Sequence, residues 1–365
     1  MLKLCLITNE FSPSIGGWQT HAFQLANFLS EKAKVHLVAP NYNEADDDFK
    51  FDIHRFDRGK KMRNFIFNSK DIIKKILKEN DIDLMHSLMV FPSGYVGSLF
   101  SLPLVVTAHG NDLLEKGVLQ NYMINRCLKK SNKIICVSSF TQSLINNKIS
   151  NKAIIIPNGV VPEDFSTDKE RSRKALNLRH PIILTVSRLV KRKRIDMLIE
   201  ASVGVIEKFR NAVFVVVGDG EEKNNLITLT KKLKVENNFK FLGFIDDNTL
   251  KQYYSAADVF VMTPQQKKRD VEGFGIVFIE ALASSTPVIG TNVGGIPDII
   301  DGKNGFIIQN SKELSDNISY LLENKKIAEE MGRYGRKLVE DKFSWKKIAD
   351  KTLQVYNGVL RTHPR

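Results

Sequence analysis

This 365-residue chain has few of the features that mark exported, disulfide-built or membrane-spanning proteins. Its three cysteines, Cys5, Cys127 and Cys136, show no paired spacing, and none has a His or second Cys placed as a metal partner. They read as small core residues in a reducing, cytoplasmic compartment. No run of about 18 uninterrupted apolar residues occurs, so no membrane-spanning helix is expected. Residues 1–8 are apolar too briefly for a signal-peptide core and read as a first buried strand. Zinc-finger spacing, a basic region with heptads and an aromatic stacking motif are all missing, which makes nucleic acid an unsuited partner. Solenoid-period repeats and low-complexity stretches are missing too. The one dense acidic cluster, Asp46-Asp47-Asp48, falls in a polar loop and reads as solvated. No metal site and no cofactor are expected.

What the chain has in excess is positive charge: 54 Lys and Arg against 41 Asp and Glu, a net +13. Such a field favours anionic partners, either phosphorylated substrates or acidic lipid surfaces. Short, β-branched apolar runs recur at 2–8, 35–39, 83–87, 104–108, 134–138 and 153–156. They start afresh at 182–187, 212–218, 240–242, 259–262, 287–290 and 305–308. Runs that are apolar nearly throughout suit strands buried on both faces of a parallel sheet. Amphipathic stretches such as 20–30 and 194–209 lie between them, and the alternation predicts a doubly wound α/β architecture. The polar stretch 162–180 reads as a linker with a short helix. Two Rossmann-like domains are therefore expected, 1–161 and 162–342, with an amphipathic segment at about 343–360 packing back on the first. Ligands of open parallel sheets bind beyond the carboxyl ends of the strands, so two such domains facing each other predict a cleft.

The stretch from Val271 to Ala281 carries the strongest chemical signal. Glu272 and Glu280 stand eight positions apart around the turn Gly273-Phe274-Gly275, after which Ile276 and Val277 open a helical pattern. Glycines there let backbone approach a ligand, and free helix-end amides suit a diphosphate. Glu280, one turn inside, can accept hydrogen bonds from a ribose; Glu272 can hold sugar hydroxyls. Arg188 follows an apolar strand, whereas Lys191-Arg192-Lys193-Arg194 is a basic run that reads equally as a solvated face. His109 sits at a strand end in Ala108-His109-Gly110-Asn111-Asp112. Ser138 ends another strand. Gly16-Gly17 and Gly218-Asp219-Gly220 each follow a strand.

Taken together and in order, these motifs resemble glycosyltransferase family 4, the "glycosyl transferases group 1", which are retaining enzymes of GT-B fold. The Glu-x7-Glu spacing of Glu272 and Glu280 is similar to the family signature, and Arg188 with Lys193 resembles its Arg/Lys pair. Ile156-Pro157-Asn158-Gly159-Val160, Gly294-Gly295-Ile296-Pro297-Asp298 and Gly16-Gly17 resemble further family segments. The resemblance implies transfer of a hexose from a UDP- or GDP-sugar to a hydroxyl of a sugar, lipid-linked or small-molecule acceptor, in cell-envelope glycan or glycolipid synthesis. It implies that Arg188 and Lys193 neutralise the diphosphate, with Gly16, Gly17, Gly218 and the 273–277 turn also on the donor. His109 would lie beside the transferred sugar, in a positioning role, and Asp112 and Ser138 would meet the acceptor. The same frame also serves nucleotide-sugar epimerases, and it can hold a sugar nucleotide without turning it over.

The segment 62–78 mixes apolar and basic residues. It reads either as a core-facing helix with a lysine-rich outer face or as a peripheral contact on the anionic inner face of the plasma membrane.

Overall fold

The computed structural model describes residues 1–12, 16–42, 48–114, 117–266 and 270–362. The chain divides into two compact units, one of residues 1–159 with 345–365 and one of residues 160–344.

The first unit is built on a seven-stranded parallel sheet: β1 (Leu2–Ile7), β2 (Ala33–Pro40), β3 (Asp52–Phe56), β4 (Leu84–Ser87), β5 (Leu104–Ala108), β6 (Lys133–Cys136) and β7 (Ala153–Ile155), in the order β3-β2-β1-β4-β5-β6-β7. The inner strands are apolar because helices cover both faces. In β1, Leu4, Cys5, Leu6 and Ile7 are all fully buried. The three thiols are core residues, and burial pushes each of them up to about 12. Strand β3 was not expected from the sequence. It pairs only with β2, and as an edge strand its Asp-Ile-His-Arg-Phe run mixes polar and apolar residues rather than being apolar throughout.

The helix Trp345–Thr362 belongs to this unit and packs on the helix Gly17–Leu29. Burial of Trp345, Ile348, Tyr356 and Val359 is worth roughly 1.5–3 kcal/mol for each large side chain. The Tyr356 hydroxyl also meets His86 Nδ1 at 2.6 Å. The helix Met62–Glu79 turns Phe65, Ile73 and Ile76 into the core and leaves Arg63, Lys74, Lys75 and Lys78 exposed.

The second unit holds β8 (Ile182–Val186), β9 (Val213–Val217), β10 (Phe239–Gly243), β11 (Val259–Met262), β12 (Val288–Thr291) and β13 (Gly305–Ile308), parallel in the order β10-β9-β8-β11-β12-β13. Residues 162–180, expected as a linker with a short helix within the domain 162–342, belong to this unit and hold such a helix. The helix Lys169–Ala175 is fastened through Lys169 and Arg173 to Asp258 at 2.9 and 2.5 Å, and Arg173 Nε donates to the Ala256 carbonyl. Lys169 and Arg173 are half-buried by this ion pairing at the sheet's amino end, while Glu170, Arg171 and Lys174 are exposed. Among the described residues no helix is long and apolar enough to cross a membrane.

Candidate active site

In the second unit the strand order reverses between β8 and β11, and the loops after those two strands carry most of the charged residues singled out by the sequence. Such a reversal opens a crevice at the carboxyl ends of a parallel sheet, where ligands bind. The chain leaves β8 through Arg188, buries Leu189, and enters a tight turn at Lys191–Lys193. Arg194 closes that turn in the left-handed region, at φ 52° and ψ 41°. A non-glycine residue held there stores strain that its surroundings must offset. The offset comes from the post-β11 segment: Thr263 Oγ1 donates to the Arg194 carbonyl at 3.0 Å, and Gln265 N–H to the Arg192 carbonyl at 2.9 Å.

This turn aims two cations inward. Lys193 Nζ lies 2.6 Å from Glu272 Oε2, and Arg192 Nη1 lies 2.9 Å from the same oxygen. Arg192 Nε reaches Asp270 Oδ2 at 2.8 Å. Reading the run 191–194 as a solvated face therefore fails for its middle, because Arg192 and Lys193 are buried while Lys191 alone is fully exposed. Burial pushes the Glu272 carboxyl up, but the charges and hydrogen bonds of Lys193 and Arg192 outweigh it and hold it below its ordinary value. Glu272 stays ionised. With Oε2 taken by two cations, Oε1 is the oxygen left to accept from a ligand hydroxyl. Arg192 is the residue that sequence reasoning missed; three adjacent candidates in one run gave spacing nothing to choose by.

Arg188 is exposed, and its guanidinium makes no hydrogen bond or ion pair among the described residues.

The segment after Glu272 forms the expected turn. Gly275, at φ 96°, precedes the helix Ile276–Ala283, and no described residue accepts from the amides of Ile276 and Val277. These are the orphan N–H groups of a helix start, bearing its partial positive charge. The turn is braced by the loop after β12: Gly295 N–H donates to the Glu272 carbonyl at 3.1 Å. Gly294 has φ +59°, and a Cβ on it would stand 1.8 Å from that carbonyl oxygen, so only glycine fits. Phe274, expected on the donor, is instead buried against Phe343 with ring centroids 5.9 Å apart. An apolar ring held in the unit's own core leaves the turn's contribution to backbone and to Glu272.

Glu280 accepts from the Tyr254 hydroxyl at 2.7 Å through Oε2. Burial raises its pKa; the Tyr254 hydrogen bond works against that, and Asp247 adds to it. Gly218 is explained by packing: at φ +120° its Cβ would meet the Ser187 carbonyl oxygen at 2.0 Å.

In the first unit the order reverses between β1 and β4. His109, after β5, is 7% exposed. Its Nε2 stands 3.0 Å from the Leu88 carbonyl, and since a carbonyl only accepts, Nε2 carries the proton and Nδ1 the lone pair. Burial, opposed by that hydrogen bond, lowers its pKa to about 4. The ring meets His21 edge-on at 4.8 Å and lies 6.4 Å from Trp18. His21 is held by Asn158 Oδ1 at 2.8 Å, packs on Trp345, and is lowered to about 3, first by burial and then by His109.

Asp112 and Ser138, expected at the acceptor, each have local partners. Asp112 receives the amides of His109 at 2.8 Å and Val90 at 3.0 Å, so its oxygens fasten the loops around the histidine. Ser138 is buried and caps the short helix Ser139–Ser143 by accepting from Thr141 N–H. Gly16 and Gly17 begin the helix Gly17–Leu29; Gly16 is extended at φ 164°, and no atom would crowd a Cβ on Gly17. Asp46 and Asp47 lie outside the described residues, which contain no group of three His, Cys, Asp or Glu able to hold a metal.

Known proteins share this layout. Residues 15–164 match the family described as Glycosyltransferase Family 4, and residues 166–338 match Glycosyl transferases group 1. An uncharacterized glycosyltransferase of Methanocaldococcus jannaschii is 30% identical over 96% of this chain and 97% of its own length. A GDP-mannose-dependent monoacylated alpha-(1-6)-phosphatidylinositol monomannoside mannosyltransferase of Corynebacterium glutamicum is 27% identical over 100% and 99%. Among solved structures, HepE of Anabaena in complex with UDP superposes with a TM-score of 0.79 at 20% identity, over 98% of this chain and 100% of that one. The chain belongs to glycosyltransferase family 4 and has the GT-B fold.

Proposed function

We propose that this glycosyltransferase retains anomeric configuration and moves a hexose from a UDP- or GDP-sugar to an acceptor hydroxyl in glycan or glycolipid synthesis. The observation that carries the reading is the cluster at the β8/β11 reversal, where Lys193, Arg192 and Glu272 share one oxygen beside unengaged helix-end amides. The donor diphosphate lies against the Ile276 and Val277 amides, with the unpaired Arg188 swinging onto it and Lys193 adjoining. Developing charge on the leaving diphosphate is the largest electrostatic demand of the reaction, and preorganised donors meet it best. Glu272 Oε1 accepts from a sugar hydroxyl while Oε2 keeps the cations in place. Glu280, with one oxygen on Tyr254, offers the other to the ribose.

Transfer proceeds on one face of the sugar. The bond from C1 to the diphosphate oxygen breaks, the bond from the acceptor oxygen to C1 forms on the same side, and the acceptor proton passes to the departing diphosphate. His109, neutral at pH 7, is no proton donor to the leaving group. Its Nδ1 lone pair accepts from a sugar or acceptor hydroxyl and positions it. Arg188, Lys193 and the helix end supply the positive charge a divalent ion would otherwise bring, and the reaction is proposed to need no metal.

HepE was solved with UDP, and the Corynebacterium relative is named for GDP-mannose and a phosphatidylinositol mannoside acceptor. Both nucleotides therefore belong in the test, and a lipid-linked acceptor is the favoured class. With such an acceptor, the enzyme would work on the cytoplasmic side of a membrane as a peripheral protein, its basic helix Met62–Glu79 facing anionic lipid. The test is a panel of sugar nucleotides scored by thermal stabilisation, since a ligand at a hundred times its Kd adds about 2.7 kcal/mol. One donor should stabilise wild type and lose that effect on Arg188→Ala. If no sugar nucleotide stabilises the protein, the reading falls. Hydrolysis or epimerisation of the donor without acceptor would favour the epimerase alternative.

A further inference from the structure

A cavity of about 320 Å³ opens at the carboxyl ends of β1 and β4, where the first sheet's strand order reverses. No charge in it is used by the proposed chemistry. Its wall is apolar, made by Trp18, Met62, Phe65, Met89 and Phe91. Its rim is cationic: Arg58, Lys60 and Lys61 all line it. Against those three cations stand two carboxylates. Asp112 is spent on backbone amides, and Glu10 holds Gln19 at 2.7 Å and Arg58 only at 3.8 Å. Lys60 and Lys61 are exposed and have no partner among the described residues.

The turn bearing these cations is built, not loose. Gly59 stands at φ +60° with its amide on Asp57 Oδ1 at 2.8 Å, and Asn68 Nδ2 holds the Asp57 carbonyl at 2.8 Å. The helix Met62–Glu79 starts there with no side-chain cap and no acid in its first turn, which adds its positive end to the same rim. The cavity also abuts His109. Trp18 and Asp112 both line it, one with its ring 6.4 Å from the histidine and the other accepting the histidine's amide.

We propose that this cavity takes the acceptor, and that the acceptor carries a phosphate mono- or diester next to an apolar portion. The phosphate lies against Lys60, Lys61 and Arg58, and the apolar part lies along the Trp18 and Met62 wall. This assignment rests on the transferase reading above and names the class of its second substrate. Phosphate esters of this kind come as lipid headgroups or as soluble phosphates, and the apolar wall favours the former.

The test is calorimetric titration of the full chain with four probes: dioctanoyl phosphatidic acid below its micelle concentration, dioctanoylglycerol, glycerol 3-phosphate and inorganic phosphate. Dioctanoyl phosphatidic acid should bind best. Lys60→Ala/Lys61→Ala should weaken it on the order of tenfold per cation. Lys129→Ala/Lys130→Ala, which removes exposed cations at the far end of the helix Val118–Lys130, should leave binding unchanged. Tighter binding of glycerol 3-phosphate than of the lipid would keep the anion site but overturn the apolar half of the assignment. Equal binding of phosphatidic acid and dioctanoylglycerol, or equal losses in the two double variants, would overturn the proposal. Donor stabilisation measured on the same proteins separates the two readings. It should survive Lys60→Ala/Lys61→Ala, and its absence from wild type would sink the transferase reading while leaving the cavity's anion preference to stand on the titrations alone.

Discussion

Replacing Glu272 by Gln removes the charge that Lys193 meets at 2.6 Å and Arg192 at 2.9 Å. The three side chains are 14%, 10% and 6% exposed, so water cannot take over the solvation of the cations. Breaking a buried pair from one side costs about 3–5 kcal/mol. The amide keeps an acceptor oxygen and Arg192 keeps Asp270, which places Glu272→Gln near the lower end, at about 3 kcal/mol. Adding Lys193→Met removes the stranded ammonium and substitutes a side chain of similar volume beside Met262, so about half of the loss should return. Both tryptophans, Trp18 and Trp345, lie in the first unit, so a probe inside the second is needed. Hydrogen exchange read on peptides covering β8, β9, β11 and β12 reports the second unit by itself. The pH dependence follows from the same cause. The Glu272 pKa is lowered on folding from about 4.5, so its contribution is present above that value and is lost as pH falls through the native one. Below about pH 4.5 wild type should lose stability faster than Glu272→Gln. A cost under about 1 kcal/mol at pH 7, or full additivity of the two substitutions, would refute the argument.

Arg188→Ala should leave stability within about 0.5 kcal/mol, since the side chain is exposed and unpartnered, yet lower kcat/KM by at least on the order of tenfold; unchanged turnover by the purified variant would count against a phosphate role. Glu280→Gln should raise the melting temperature at pH 7 and weaken nucleotide binding. Its native pKa is raised, so the group favours folding below its unfolded value and loses that contribution as pH climbs through the native one, which the amide avoids. Gly294→Ala should cost more than about 3 kcal/mol because its Cβ would collide with the Glu272 carbonyl at 1.8 Å, and donor stabilisation should go with it. His109→Gln should flatten the acid loss of first-unit stability. With a native value of about 4 against 6.5, the neutral ring's contribution is intact above 6.5 and disappears as pH drops toward 4, which hydrogen exchange on β4 and β5 would follow.

The parts of the fold that sequence patterning revealed are those in which local and global demands coincide. Strands such as Val213–Val217 are apolar throughout because helices cover both sides, and a run of that kind has few other uses. Strand β3 escaped because an edge strand pairs on one side only and its five residues are mostly polar, with neither an apolar run nor a strict alternation to mark it. The anchorage of residues 162–180 escaped for a related reason. Composition reports that Lys169 and Arg173 are charged, not that Asp258 waits for them 89 and 85 positions away. Tertiary ion pairs leave no local trace.

The same limit shaped the site. Glu272 and Glu280 stood out because spacing around a glycine turn is a local property, and Lys193 was singled out only through the family resemblance. Arg192 was not, because the choice among four adjacent cations is made by the left-handed conformation of Arg194, which swings two side chains inward and leaves Lys191 outside. That strain has a consequence for function. A lysine on a relaxed surface turn would sample many rotamers and reach a diphosphate only after an entropic loss. Fixed by Glu272 through a buried contact, Lys193 has already met that cost in folding, and a donor bound as proposed would find a charge whose position is set. The carboxylate anchors the cation beside it, and in the proposed reaction it also accepts from a sugar hydroxyl, so the two roles should fail together when Glu272 is changed. Substitution of Lys193 should spare the second of them.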